Sequence, residues 1–256
     1  MSSWSRSHQF RYLLAVVAVV VIAAGATYWV RRPQPTCSDG LKNQNELGVD
    51  CGGVCTRVCR DEALPLIIKW VQVFPVRTGV FDAAAYVTNP NTGFELRSFN
   101  YRFKVYDAAQ QLIAEREGKA FVTPGEQMVI FEPLVKTRER AAARAFLEVA
   151  PNGEDLLWTR AVGGRVPQLS VKSKLMETNP VPTLSVLVRN GSSFEASNVI
   201  VTGVLYNTLG NVLGVSAARL VTVPRLSDTP VTLTWPNQFS EAVISSEIYF
   251  HAPRVP

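Results

Sequence analysis

Two kinds of hydrophobic pattern divide this chain. Residues 12–30 read YLLAVVAVVVIAAGATYWV, 19 positions without a charge. A helix of that length spans roughly 28 Å, close to the hydrocarbon core of a bilayer. Tyr12, Tyr28 and Trp29 stand at its two ends, where amphipathic rings favour the headgroup layer. After residue 64 the texture changes to short alternating runs rich in Val, Ile, Tyr, Phe and Thr, divided by Pro, Gly and Asn. Phe99, Tyr101, Phe103 and Val105 put apolar side chains on every second residue, the mark of a strand with one buried face. Strands are predicted at 66–76, 80–87, 99–107, 127–131, 169–175, 183–188, 199–206 and 231–235. Strands at this spacing, with turn signals between them, predict a β-sandwich.

The strand region also repeats itself. Val87-Thr88-Asn89 is echoed by Val188-Arg189-Asn190, and Phe94 by Phe194. Val105-Tyr106-Asp107 returns as Leu205-Tyr206-Asn207, and Pro124 as Pro224. The offset stays near 100 residues, which predicts two tandem domains rather than a solenoid. The boundary falls near Gly163-Gly164-Arg165-Val166-Pro167. At the centre of each copy a strand meets a polar turn and a return strand. Asp107 or Asn207 is placed to bond the turn backbone, and Gly210-Asn211 suits a tight turn.

Phe103-Lys104-Val105-Tyr106-Asp107 fits the pattern F-x-[LV]-Y-D. Both copies, roughly 66–150 and 168–252, resemble the FxLYD domain of prokaryotic surface proteins, akin to water-stress and late-embryogenesis-abundant type-2 domains. The resemblance implies a seven-stranded immunoglobulin-like sandwich without a catalytic centre, hung from a single membrane anchor. The second copy departs from the pattern, with Gly203 where the motif has Phe.

Between the apolar run and the strands lie all four cysteines, Cys37, Cys51, Cys55 and Cys59, spaced C-x13-C-x3-C-x3-C. A zinc ribbon needs two C-x2-C-like pairs, and a redox C-x-x-C is absent. Such a dense cluster predicts disulfides, which leaves three possible pairings, and it predicts an oxidising compartment. The cysteines thereby fix an orientation that the flanks leave open. Arg6 and Arg11 before the run nearly balance Arg31 and Arg32 after it. The N-terminus is expected in the cytoplasm and the rest outside. A cleaved secretory signal is the alternative, because Ala24-Gly25-Ala26 resembles a processing site. An uncleaved anchor is preferred, since the apolar run continues past that site to Arg31-Arg32.

Asp39, Asn43, Asn45, Glu46 and Asp50 are hard oxygen donors within the cysteine window, which makes them calcium candidates. The window also resembles a short module of secreted bacterial proteins, C-x-D-G-x-x-N-x-x-E-x-x-x-D-C-G-G-x-C, with every fixed position met from Cys37 through Cys55. The preferred reading needs no ion. Asp39 and Asp50 cap turns, while Gly40, Gly52 and Gly53 supply positive φ.

Charge adds little beyond this. The net charge of +5 comes from 26 basic and 21 acidic residues. Residues 1–32 hold four arginines and no acid, leaving 22 against 21 elsewhere. The excess belongs to the membrane flanks and argues against a nucleic-acid partner. Candidate chemistry is sparse. His8 lies in the tail, and His251 near the C-terminus is expected to be solvated or capping. Glu115 and Glu117, beside Arg116 and Lys119, read as a solvated face, and Glu154 and Asp155 as turn residues. Lys136, Arg138, Arg140 and Arg144 form a basic stretch with a helical look, expected as a solvated crossover loop. Trp70, Trp158 and Trp235 are expected in the core.

The expected chain is therefore mainly β. It has a cytoplasmic tail (1–11), a transmembrane helix (12–30), a Cys-rich juxtamembrane module (31–63) and two tandem immunoglobulin-like sandwiches (64–163 and 164–256). Its expected role is non-enzymatic surface interaction, envelope organisation or scaffolding of a membrane assembly. The lipid bilayer and a protein are its expected partners. Two alternatives stand beside it: a ligand-presenting or sensing accessory subunit with a calcium-ordered module, and an extracytoplasmic hydrolase.

Overall fold

A computed structural model describes residues 3–31, 34–153 and 155–255. Arg32 and Glu154 lie outside the described residues, as do the side chains of Arg6 and His8. Helix α1 (Ser3–Arg31) begins well before the apolar run, so the tail is helical from Ser3. Its stretch Gln9–Arg31 is long and apolar enough to cross a membrane, and none of it is covered by the rest of the chain. Thr27 turns its hydroxyl back onto the carbonyls of Ala23 and Ala24, so its polar atom is satisfied within the helix.

The remainder is antiparallel sheet. The first half contains β1 (Ile67–Arg77), β2 (Val80–Thr88), β3 (Phe94–Tyr106), β4 (Leu112–Val122), β5 (Gln127–Lys136), β6 (Arg144–Val149) and β7 (Trp158–Arg160). One sheet runs β1-β2-β5; the other runs β4-β3-β6, with β7 also on β3. The second half contains β8 (Leu169–Glu177), β9 (Thr183–Asn190), β10 (Ala196–Tyr206), β11 (Val212–Val223), β12 (Asp228–Thr234) and β13 (Ser245–His251). Its sheets run β8-β9-β12 and β11-β10-β13, the same order strand for strand. In each half the two sheets close on a buried apolar core, one around Phe103, Leu96 and Trp158, the other around Leu184, Leu205 and Trp235.

The repeat is carried by a buried asparagine. Asn89 Nδ2 donates to the carbonyls of Phe94 and Thr123, and its Oδ1 accepts from Asn91 N. Asn190 makes the same set, donating to Phe194 and Val223 and accepting from Ser192 N. Each satisfies backbone groups at the start of a sheet-to-sheet crossing, where no strand partner can. The cores differ where the motif departs. Phe103 fills the first core opposite the small Ala83 and Ala85. In the second core Gly203 is covered by Leu233 and Leu184. Bulk has moved from one sheet to the other.

A third apolar layer joins the halves. Alternation along β2 sends Ala83, Ala85 and Val87 into the first core, and Ala84 and Tyr86 to the opposite face. On β10, Val201 and Leu205 face the second core, while Val204 and Tyr206 face back. Ala84 and Val129 pack with Val204 and Val215, rimmed by Trp70, Phe74, Phe131 and Tyr249. The four sheets are therefore stacked face to face. This double burial explains why β2 and β10 read as nearly continuous apolar runs.

The basic stretch is the expected crossover loop, and its helical look is not realised: it ends β5, turns at 137–140 and begins β6 at Arg144. Arg138 and Glu139 take positive φ (51° and 68°). Of the alanines that gave it a helical look, 141–143 lie in irregular chain leading into β6 and Ala145 lies within the strand. His251 is not solvated, because the second sandwich is laid against the first and β13 ends inside the seam.

Candidate functional site: the seam between sandwiches and the cysteine module

The cysteines pair Cys37–Cys55 and Cys51–Cys59, and none is free. Turns between them are built by carboxylates. Asp39 accepts from the backbone N–H groups of Thr36 and Leu41 and from Asn43 Nδ2. The Asn43 bond, followed by the backbone donors, holds the Asp39 carboxyl below the usual range. Asp50 accepts from Gly40 N through both oxygens, at 3.1 and 3.0 Å. Glu46 is buried and accepts from the N–H groups of Asn43 and Asp50. Asn45 lies exposed at positive φ (66°), and its carbonyl contacts Gly53. Gly40, Gly52 and Gly53 have φ of 73°, 71° and 58°.

Of the calcium candidates, then, Asp39, Glu46 and Asp50 are each turned onto backbone donors. Among the described residues the one metal-sized group is Cys37, Glu46 and Cys55. Its two sulfurs are bonded to each other and offer no thiolate.

The module is seated on the first sandwich. Val58 N donates to Trp158 O, and Arg160 N donates to Thr56 O, so residues 56–58 run along β7. Val58 is buried in the same core as Trp158. Glu62 accepts from Arg160, and Asn91 exchanges hydrogen bonds with Leu64.

Polar contacts clasp the seam at several points. His251 Nδ1 lies 2.7 Å from Glu126 Oε1, and Phe121 stacks on the imidazole at 3.9 Å. Glu126 is positioned by Thr123, whose N–H and hydroxyl both donate to its other oxygen. Arg254 donates to Glu95 and to the carbonyls of Gly163 and Gly164. The predicted boundary segment is thus held down, and Arg165 lies over the Phe194 ring at 4.3 Å. Further along, Tyr206 and Tyr249 both donate to Glu247. Burial, then the Glu247 bond, pushes the Tyr206 hydroxyl up to about 12. Sequence reasoning placed Trp158 and Trp235 in cores, where they lie; Trp70 instead rims the seam.

The expected charged face is present on β3 and β4. Glu117 pairs with Arg102, and Arg116 pairs with Glu132. Arg140 of the basic stretch pairs with Asp107 at the hairpin turn. The seam residues Glu126, Glu95 and Arg254 were missed. No local motif marks them, because Glu126 meets His251, and Glu95 meets Arg254, more than 100 positions away. No protein family and no curated protein matches the chain.

Proposed function

We propose that this protein is a membrane-anchored, extracytoplasmic interaction protein without catalytic activity. It would work in surface interaction, envelope organisation or scaffolding of a membrane assembly. Helix α1 is its single-pass anchor, the N-terminus lies in the cytoplasm, and the immunoglobulin-like sandwiches lie outside. The observation that carries this reading is the fixed seating of the module on the first sandwich, a few residues after an apolar helix. Two disulfides brace it internally, and backbone bonds along β7 fix it to the first sandwich. Five residues, 32–36, separate α1 from Cys37, a reach of at most about 20 Å. Such an arrangement would hold the first sandwich close to a bilayer. The disulfides favour an oxidising compartment.

The hydrolase reading is weaker because its lone extracytoplasmic histidine is engaged by Glu126 and Phe121. The FxLYD resemblance points the same way, although fold kinship alone leaves function open. Crosslinking in native membranes, followed by affinity recovery of the tagged chain, should return a specific protein partner. External protease applied to intact cells should remove both sandwiches. Full protection there refutes the outside placement.

A further inference from the structure

The seam holds a half-buried carboxylate, Asp82, that its packing does not neutralise. Alternation along β2 places Asp82 on the face that carries Ala84 and Tyr86, toward the second sandwich. Asp82 accepts one hydrogen bond, from Leu134 N at 2.9 Å. Among the described residues no Lys, Arg or His nitrogen lies within 4.0 Å of it. Its burial raises the carboxyl above the usual range. A half-buried carboxylate without a cation is a cost that a fold normally offsets with a partner.

Asp82 opens onto a cleft of 220 Å³ between the sandwiches, walled by Phe74, Pro75, Trp235, Pro236 and Phe239. The Phe74 and Phe239 rings are partly exposed. The walls are tied together, because Asn237 Nδ2 donates to the carbonyls of Pro75 and Val76 at 2.9 and 3.0 Å. The cleft is thus preformed, and it combines an anionic group with aromatic faces. Aromatic faces attract cations, and the attraction grows when water is excluded. Apolar walls with a few placed polar groups are also the usual composition of a small-ligand site.

We propose that this cleft binds an alkylammonium group, with the ammonium on the Asp82 carboxylate and the carbon stem against Phe74 and Phe239. Isothermal titration calorimetry on the full chain in uncharged detergent micelles tests it, using n-butylammonium and a lysine-containing tripeptide amide, with n-butanol as the uncharged control. Saturable binding of an ammonium probe is expected, weakened about tenfold or more in Asp82→Asn and less strongly in Phe239→Leu. An unchanged melting curve for Asp82→Asn verifies that it folds. Tighter binding of the tripeptide assigns the natural group to a lysine side chain, and tighter binding of butylammonium assigns it to a free amine. No saturable binding by either probe, equal binding of n-butanol, or undiminished binding by Asp82→Asn overturns the proposal.

Discussion

Replacing Gly203 by alanine tests the idea that the second core moved its bulk across the sheets. A Cβ on Gly203 would stand 2.6 Å from Leu233 Cδ1, and 3.6 Å from Leu184 Cδ2 and Ile248 Cδ1. Leu233 and Leu184 are each 1% exposed, so neither has free space to retreat into. Overpacking of this kind costs about 1–3 kcal/mol. Removing a strand glycine returns about 0.5–1 kcal/mol of chain entropy. The net expectation for Gly203→Ala is therefore a loss of about 0–2.5 kcal/mol, centred on about 1 kcal/mol. Leu233→Ala alone should lose about 2–5 kcal/mol by opening a cavity. The pair should lose less than the sum by about 1–2 kcal/mol, because the alanine then occupies room that Leu233 has left. Guanidinium unfolding of the four proteins, followed by tryptophan fluorescence, measures the cycle. Trp235 lies in the same core and reports on it. A stabilising Gly203→Ala, or additive losses in the double variant, refutes the packing argument.

Asn190→Ala should destabilise the chain by about 2–4 kcal/mol in the same assay, since it strands two buried carbonyls and one N–H. Gly53→Ala places a methyl 2.0 Å from the Asn45 carbonyl at a φ of 58°, so peptide mapping without reduction should show lost or scrambled Cys37–Cys55 and Cys51–Cys59 links. Chelation or added calcium should leave the melting temperature unchanged, as the module's carboxylates already accept backbone N–H groups; a rise with calcium that Asp50→Ala abolishes contradicts this. Asp82 binds its proton more tightly folded than unfolded, so its contribution to stability should improve as pH falls through its raised folded value toward 3.8. Melting curves across that window should lose this component in Asp82→Asn.

Period-two alternation located the long strands because one buried face imposes it, and the 100-residue echo coincides with two pairs of sheets in matched strand order. Boundaries failed where burial was not one-sided. β3 begins five residues before its predicted start, at Phe94, because it also pairs with β7. β6 was hidden by an alanine run whose helical propensity is overridden by pairing with β3. The cysteine window announced disulfides, but its pairing depends on three-dimensional proximity. Least legible was the seam. Val204 and Ala84 look like ordinary core residues, and nothing local says that two cores share a wall. His251 looked solvated for the same reason, since Glu126 lies 125 positions away.

The shared wall changes what the two sandwiches can do. Tandem domains joined by a loose hinge sweep out volume and search for partners, and they lose that freedom on docking. Here four sheets lie flat against one another, about 10 Å apart, giving a slab roughly 30 Å thick. The second domain adds thickness and a second outer face without adding reach. A partner that touches both domains meets geometry already set, so binding forfeits little orientational entropy. Conversely, a substitution deep in the seam is felt on both outer faces at once.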